Sequence, residues 1–405
     1  MAENIQRILI PPKVVKFLLS DILFASRNKR EISVLQEIGC DVIVLCVGEK
    51  TEKITTKSGL LIYKIEKLRL SIKQPRLIRA IRIIRKWVSL ARLLKTFQAE
   101  CVSCHDLNAL FIGWMSTWFT PKNKRHLLVY DSHEFEAGRN TGGKRSKLKL
   151  WFIIHLERFL MNKTAFNMMV NDSIAEEVLK LHHLKERPIV VKNVTSYWDI
   201  DKSVCKQRRK ELLQKIHVTE STFLLMYHGG ITSGRGIDNL LRAVALIENI
   251  AVVVLGYGDA DYMIKLRSLI DELHIEKKVV FLTAVQHSEL WQYVGAADAG
   301  IVTIENTCLS YYYSLPNKLF ENIQAETPVI GSNLPEISRV INNYKIGLCC
   351  DSANVDEMAF VINEMRNNKK LYSFFKQNLK KAKRELNWEN EKEVLINAYN
   401  NILSH

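Results

Sequence analysis

The sequence predicts an α/β protein of two doubly wound domains, each a parallel sheet with helices on both faces. Three observations carry this. Apolar, β-rich runs alternate with helical patterns through nearly all of the 405 residues, an order that implies parallel sheets joined by crossover helices. The alternation runs once and starts afresh at Thr222, giving two series. A chain of 405 residues with 47% hydrophobic content has enough for two cores, since domains usually span roughly 100–200 residues.

In the first series, Arg7–Pro11 reads as a short strand and Arg27–Ile38 as a helix that stops at Gly39. Strands follow over Asp41–Val47, Cys101–Asp106, Leu127–His133 and Ala165–Val170. Asn171-Asp172-Ser173 then offers an N-cap to a helix over Ile174–Leu181, and Pro188–Lys192 is a strand ending at Asn193. The second series reads strand Thr222–His228, helix Gly236–Ile247, strand Ile250–Leu255, helix Asp261–Leu273, strand Val279–Leu282 and helix Ser288–Ala296. Strand Ala299–Thr303, helix Asn317–Ala325 and strand Pro328–Gly331 complete it. The join falls near Asn193–Val204, so the expected domains are 1–198 and 199–384, with a helix over 385–405. In open parallel sheets ligands bind beyond the carboxyl ends of the strands, so the expected site is the cleft between the two domains.

Bulk chemistry narrows the partners. Lys and Arg number 58 against 43 Asp and Glu, a formal net charge of +15, which points to a polyanion: nucleic acid, an anionic bilayer or a phosphate-bearing substrate. Met1–Ala25 is too interrupted by Pro11, Pro12, Lys13, Lys16 and Asp21 to read as a secretory signal, and no stretch approaches the ~20 apolar residues of a membrane span. The expectation is a cytoplasmic or peripheral protein with its eight cysteines reduced. Cys40, Cys46, Cys349 and Cys350 read as core thiols. Cys101-Val-Ser-Cys104-His105 matches a haem-attachment pattern, but on a strand residues three apart face opposite sides, so both sulfurs could not reach one haem.

The second series holds the strongest chemical signal. After Met226-Tyr227-His228 comes Gly229-Gly230-Ile231-Thr232-Ser233-Gly234-Arg235-Gly236 and then a helix. Glycines let backbone approach a ligand closely, while a helix N-terminus and Arg235 offer donors and positive charge to phosphate. An ordinary strand-to-helix turn is the bland alternative. Further on, Ser314-Leu315-Pro316-Asn317-Lys318-Leu319-Phe320-Glu321 starts a helix whose Lys318 and Glu321 share one face. That pairing suits a nucleoside diphosphate, ammonium to phosphate and carboxylate to ribose hydroxyls; a solvated helical salt bridge is the alternative. Asp259-x-Asp261 resembles a metal motif, but at a helix start it reads better as an N-cap.

The order Tyr-His-Gly-Gly-x4-Arg-Gly, Leu-Gly-Tyr-Gly, Leu-Pro-Asn-Lys-Leu-Phe-Glu and Thr-Pro-Val-Ile-Gly-Ser resembles the C-terminal half of glycosyltransferase family four, of the bacterial surface-polysaccharide type. That resemblance implies the GT-B fold: two Rossmann-like domains facing across a cleft, with a C-terminal helix from Trp388-Glu389 to Leu403 crossing back to the N-domain. It extends, more weakly, over nearly the whole chain. It implies a retaining transfer from a nucleotide-sugar, a UDP-sugar, to a lipid-linked saccharide, as in O-antigen or capsule synthesis, with no cofactor and no metal. Gly229, Gly230, Arg235, Gly256, Lys318 and Glu321 would bind the donor. His133, in Tyr130-Asp131-Ser132-His133-Glu134, would be the catalytic-site histidine beside the transferred sugar. The chain departs from the family at Tyr313, where many members carry a first glutamate, and at Gly230, where many carry an arginine. Glu305 is a possible substitute carboxylate. The family's N-terminal glycine-rich loop is missing after Ile10, where Pro11-Pro12 stands.

From Lys67 to Phe97 there is no acidic residue. Leu77, Ala80, Ile84, Trp87, Val88 and Ala91 recur at helical spacing, flanked by Arg79, Arg82, Arg85 and Lys86, the profile of a helix in a membrane interface. The expected membrane contacts are Arg79, Arg82, Arg85, Lys86 and Trp87 on an anionic inner-membrane surface. Lys144–Lys163, with Trp151, Phe152 and Phe159, is a second such area, and Trp114, Trp118 and Phe119 add aromatic surface. A Rossmann helix with its stripe on the sheet is the structural alternative. Nucleic acid is not expected, since no recognised module is present. Two other functions remain in view: a nucleotide-sugar epimerase on the same architecture, and a non-catalytic membrane-docking module.

Overall fold

The computed structural model describes residues 11–22, 26–71, 73–132, 134–138 and 146–403. Their contacts divide the chain into two compact units, Met1–Ala137 with Thr141–Val191 and Lys392–His405, and Gly138–Asn140 with Lys192–Glu391.

The first unit holds strands β1 (Lys13–Phe17), β2 (Asp41–Gly48), β3 (Glu52–Thr55), β4 (Leu61–Glu66), β5 (Cys101–His105), β6 (Leu127–Asp131), β7 (Phe166–Met169) and β8 (Ile189–Val190). Its helices are α1 (Ser26–Glu37), α2 (Arg76–Thr96), α3 (Asp106–Ser116), α4 (Lys147–Met161) and α5 (Asp172–His182). The sheet order is β3-β4-β2-β1-β5-β6-β7-β8, parallel except for β3, which runs antiparallel to β4 at the edge. The sequence reading has no strands over this edge pair, of which β3 is short and largely polar. Asn171 caps α5 as expected, its side chain accepting from the Ile174 N–H at 2.8 Å.

The strand expected over Arg7–Pro11 lies, but for Pro11, outside the described residues, and the first described strand is Lys13–Phe17. Pro11-Pro12 therefore precedes the strand and does not occupy the turn after it. Lys16 lies in this strand, and a lysine in a central strand is costly unless paired. Here it is fully buried and paired: Nζ bonds the Glu31 carboxylate, Ser103 Oγ at 3.1 Å and Asp131 Oδ2 at 3.4 Å. Arg27 Nε donates to the other Asp131 oxygen at 3.0 Å, and Tyr399 of the C-terminal helix donates to Glu31 at 2.6 Å.

The second unit holds β9 (Phe223–His228), β10 (Ile250–Leu255), β11 (Val279–Leu282), β12 (Ala299–Val302), β13 (Val329–Ser332) and β14 (Gly347–Cys350). Around them lie α6 (Lys202–Ile216), α7 (Ile237–Ala245), α8 (Ala260–Leu273), α9 (Leu290–Val294), α10 (Leu309–Tyr312) and α11 (Asn317–Gln324). Helices α12 (Pro335–Tyr344), α13 (Val355–Asn367) and α14 (Lys369–Glu385) follow, and α15 (Trp388–Leu403) belongs to the first unit from Lys392 onward. The sheet order β11-β10-β9-β12-β13-β14 is parallel throughout, with apolar clusters on both faces. Strand order reverses between β9 and β12, so the loops leaving their carboxyl ends diverge and open a crevice there.

All eight cysteines are free thiols. Cys101 and Cys104 are fully buried in β5, where burial pushes the Cys104 thiol up to about 12, so neither sulfur is available to a haem. Asp259 is the N-cap of α8, accepting from the Tyr262 N–H at 3.1 Å. Among the described residues no helix is long and apolar enough to cross a membrane.

Candidate functional site

The crevice at the switch point is framed by glycines. Gly229 leaves β9 at φ 109°, a conformation costly for any residue with a Cβ, and its N–H donates to the Leu255 carbonyl at 2.9 Å. Gly256 leaves the neighbouring strand, and a Cβ there would stand 1.9 Å from the Gly229 oxygen. The two turns can pass only because Gly256 has no side chain. Ile231 then bridges to Gly258, which fixes the loop that carries Arg235. The Arg235 carbonyl accepts from Thr303 Oγ1 at 2.9 Å, so the turn is also tied to the end of β12.

Lys318 enters from the second residue of α11, whose N-cap is Pro316 and has no side-chain cap bond. It is 7% exposed and Nζ has no hydrogen-bond partner. The ammonium sits over the Tyr227 ring, 3.7 Å from its centroid, beneath Gly229. A cation–π contact replaces only part of the lost hydration. Burial first, and the nearby Arg235 charge second, bring the Lys318 amine down from 10.5 to about 7, against the opposing pull of Glu321. The Arg235 guanidinium lies 5.0 Å from the Tyr311 ring centroid. Tyr227 and Tyr311 thus form an aromatic bed for two cations.

Glu321, one turn along α11, is also buried. Its Oε2 lies 2.9 Å from His228 Nε2 and its Oε1 3.5 Å from His287 Nε2. Burial alone would raise this carboxyl, but the bonds from His228 and His287 overcome it and hold the group at about 2. Ring contact with Trp198, 5.8 Å between centroids, steadies His287, which is otherwise largely exposed. The sequence alternative of a solvated Lys318–Glu321 salt bridge fails: both are buried, and the carboxylate is held by histidines instead.

The structure therefore brings Arg235, Lys318, Glu321, Gly229 and Gly256 together at one sheet end. Gly230 is open, a Cβ there meeting nothing within 4 Å, and its carbonyl accepts from the Tyr227 hydroxyl at 2.7 Å. His133 lies outside the described residues. Five contributors carried no role in the sequence reading. His228 and Tyr227 were visible inside the glycine-rich motif, whereas nothing around His287, Tyr311 or Trp198 marked them. Glu305, half-buried, is tied through its N–H to the Gly234 carbonyl at 3.0 Å, and burial followed by Asp238 raises its carboxyl.

In the first unit, α2 corrects the expected stripe. Leu90, Ala91 and Leu94 are buried, whereas Leu77, Ile78, Ile81 and Ile84 are exposed, at 73% for Leu77 and 56% for Ile84. Ala91 thus belongs to the core, and the outer apolar face is the N-terminal half of the helix. Trp87 is half-buried, edge-on to Phe111 at 5.5 Å. Arg85 is exposed, Arg79 and Arg82 are half-buried, and Lys86 Nζ donates to the Glu66 carbonyl at 2.9 Å. A chain of ring contacts continues from Phe111 through Trp114 to Trp118 and Phe159. Exposed Phe119, Trp151 and Phe152 complete the aromatic surface, while Lys144 of the second basic area lies outside the described residues.

Residues 208–382 match the family model described as glycosyl transferases group 1, a span that contains Arg235, Lys318, Glu321 and the histidines and glycines around them. A Methanocaldococcus jannaschii protein described as an uncharacterized glycosyltransferase is 24% identical over 373 residues, covering 89% of this chain and 90% of that one. Among solved structures, sucrose-phosphate synthase from Thermosynechococcus elongatus superposes with a TM-score of 0.76 at 13% identity, covering 97% of this chain and 99% of the other. Anabaena HepE in complex with UDP-glucose gives 0.69 at 14% identity, with 97% and 100% covered. The fold is GT-B, and the chain is a glycosyltransferase.

Proposed function

We propose that this enzyme transfers a sugar, with retention of configuration, from a UDP-sugar to a lipid-linked saccharide at the inner face of a cell membrane. The product would be surface polysaccharide of the O-antigen or capsule type. The observation that carries the donor half is the convergence of an unpartnered buried Lys318, Arg235 and a histidine-clamped Glu321 at the switch point. A diphosphate placed against α11 meets the Lys318 ammonium, the Arg235 guanidinium and a helix N-terminus, three sources of positive potential in one site. Glu321, kept ionised by His228 and His287, accepts from ribose hydroxyls with oxygens already oriented. As the sugar–phosphate bond breaks, charge builds on the leaving diphosphate, and the two cations stabilise it there without reorganising. The reading invokes no metal ion, and His133 keeps the place by the transferred sugar that the family resemblance gives it.

The membrane half rests on the exposed apolar face of α2 with its arginines. Each basic residue near an anionic surface contributes ~1 kcal/mol, so a handful with Leu77, Ile81 and Ile84 suffices for reversible docking. The donor test is titration of UDP and UDP-sugars into wild type, Lys318→Ala and Glu321→Ala, alongside turnover with a lipid-linked acceptor. Both variants should lose at least about tenfold in donor affinity. Unchanged affinity and turnover would refute the site, and sugar conversion without any acceptor would favour an epimerase.

A further inference from the structure

A second cavity opens beside the Arg235 turn, at the carboxyl ends of β12, β13 and β14. Its volume is about 560 Å³, within the range of roughly 300–1,000 Å³ typical of small-molecule sites. The lining includes Glu305, Asn306, Asn239, Asp351 and Tyr312, and contains no Lys, Arg or His. Two serines harden its floor: Ser332 and Ser352 each donate to the Ile304 carbonyl at 2.8 Å, so their hydroxyls are spent on the fold. The rim groups have capacity to spare. Asp351 commits only Oδ1, to the Ala353 N–H at 2.9 Å, and Asn239 commits its Nδ2 to the Ser352 carbonyl at 2.9 Å. No described protein donor meets the Glu305 carboxylate.

The geometry points to a binding site for an uncharged saccharide unit, held by Glu305, Asp351 and the carboxamides, with the Tyr312 ring as its apolar wall. Two carboxylates without a cation repel phosphates and other anions. Among the described residues no group of side chains is placed to hold a metal ion. What remains is a ligand that both donates to carboxylates and accepts from amides while offering an apolar C–H face, which describes a sugar ring. The cavity borders the loop that carries Arg235, since the Glu305 N–H donates to the Gly234 carbonyl and Thr303 Oγ1 to the Arg235 carbonyl. The inference rests on the glycosyl-transfer reading, and the saccharide is either the donor's own sugar or part of the acceptor.

Asp351→Ala and Asn306→Trp test it, since both positions are exposed; the first removes an acceptor and the second fills the cavity. Titrations compare UDP, UDP-glucose, UDP-galactose and UDP-N-acetylglucosamine, and saturation-transfer NMR follows the methyl glycosides of the same sugars. If the cavity takes the donor's sugar, both variants bind UDP as wild type does but lose about tenfold or more of the affinity for the preferred UDP-sugar. If it takes an acceptor saccharide, donor affinities hold and the glycoside signal falls. The inference is overturned if every ligand binds both variants as it binds wild type, or if wild type gains nothing from any sugar and binds no glycoside. Failure of UDP itself to bind wild type would instead remove the donor reading, leaving the glycoside arm to decide the cavity.

Discussion

Donor binding should be coupled to proton uptake by Lys318. In the empty site the amine is buried, has no hydrogen-bond partner and shares its surroundings with Arg235, which brings it down to about 7. Lowering it that far from 10.5 costs the protonated form on the order of 5 kcal/mol. A diphosphate reverses the balance, since the ammonium gains a charged acceptor and the neutral amine gains little. Binding therefore raises the pKa of this group and draws a proton from solvent wherever the free site is deprotonated. At pH 8 only about a tenth of empty sites carry the charge, so roughly 0.9 proton should be taken up per donor, falling to about 0.1 at pH 6. The sign follows directly: affinity is flat below about pH 6.5 and weakens towards tenfold per pH unit above about 7.5. The assay is isothermal titration of a UDP-sugar in buffers of different ionisation enthalpy. A UDP-sugar is chosen because its diphosphate is a diester, without the terminal phosphate that titrates near pH 6. Lys318→Met should bind more weakly at pH 6 and show no uptake. Equal proton uptake in Lys318→Met, or a wild-type affinity constant from pH 6.5 to 9, would refute the reasoning.

Other consequences follow from the same geometry. Gly256→Ala should destabilise by several kcal/mol or prevent folding, because its Cβ would sit 1.9 Å from Gly229 O, whereas Gly230→Ala should lie within about 0.5 kcal/mol of wild type in urea unfolding. Lys16→Met should cost about 3–5 kcal/mol by leaving Glu31 buried without its cation, Asp131 keeping Arg27, read as a shifted denaturation midpoint. Glu321 is held at about 2 against an ordinary 4.5, so its stability contribution is complete above 4.5 and lost as pH falls through 2. Glu321→Gln should accordingly flatten the acid limb of thermal stability between those values. Liposome flotation on anionic vesicles should fall sharply when Leu77, Ile81 and Ile84 become serine or when Arg79, Arg82 and Arg85 become glutamine; unchanged flotation in both would refute docking through α2.

Much of the second unit was legible in the sequence because its strands are uniform apolar runs and its turns are marked by glycine. Ile250–Leu255 and Val279–Leu282 fall where the pattern put them, and the helix carrying Lys318 and Glu321 begins after Pro316 as expected. The first unit was harder. Lys16 read as a break because its pairing with Glu31 and Asp131 joins residues 15 and 115 positions away, beyond any local pattern.

The sequence by itself determined the α/β class, the two series and the placing of Lys318 and Glu321 on one helix face, since periodicity, turn glycines and residue chemistry are local properties. Only the tertiary structure decided their states. A helical pattern places Lys318 and Glu321 on one face but does not say whether that face meets water. The fold buries it, sets Tyr227 under the amine and brings His228 from the end of β9 and His287 from a loop onto the carboxylate. Burial depth and long-range partners set the electrostatics of a site, and both exist only once the chain has closed on itself.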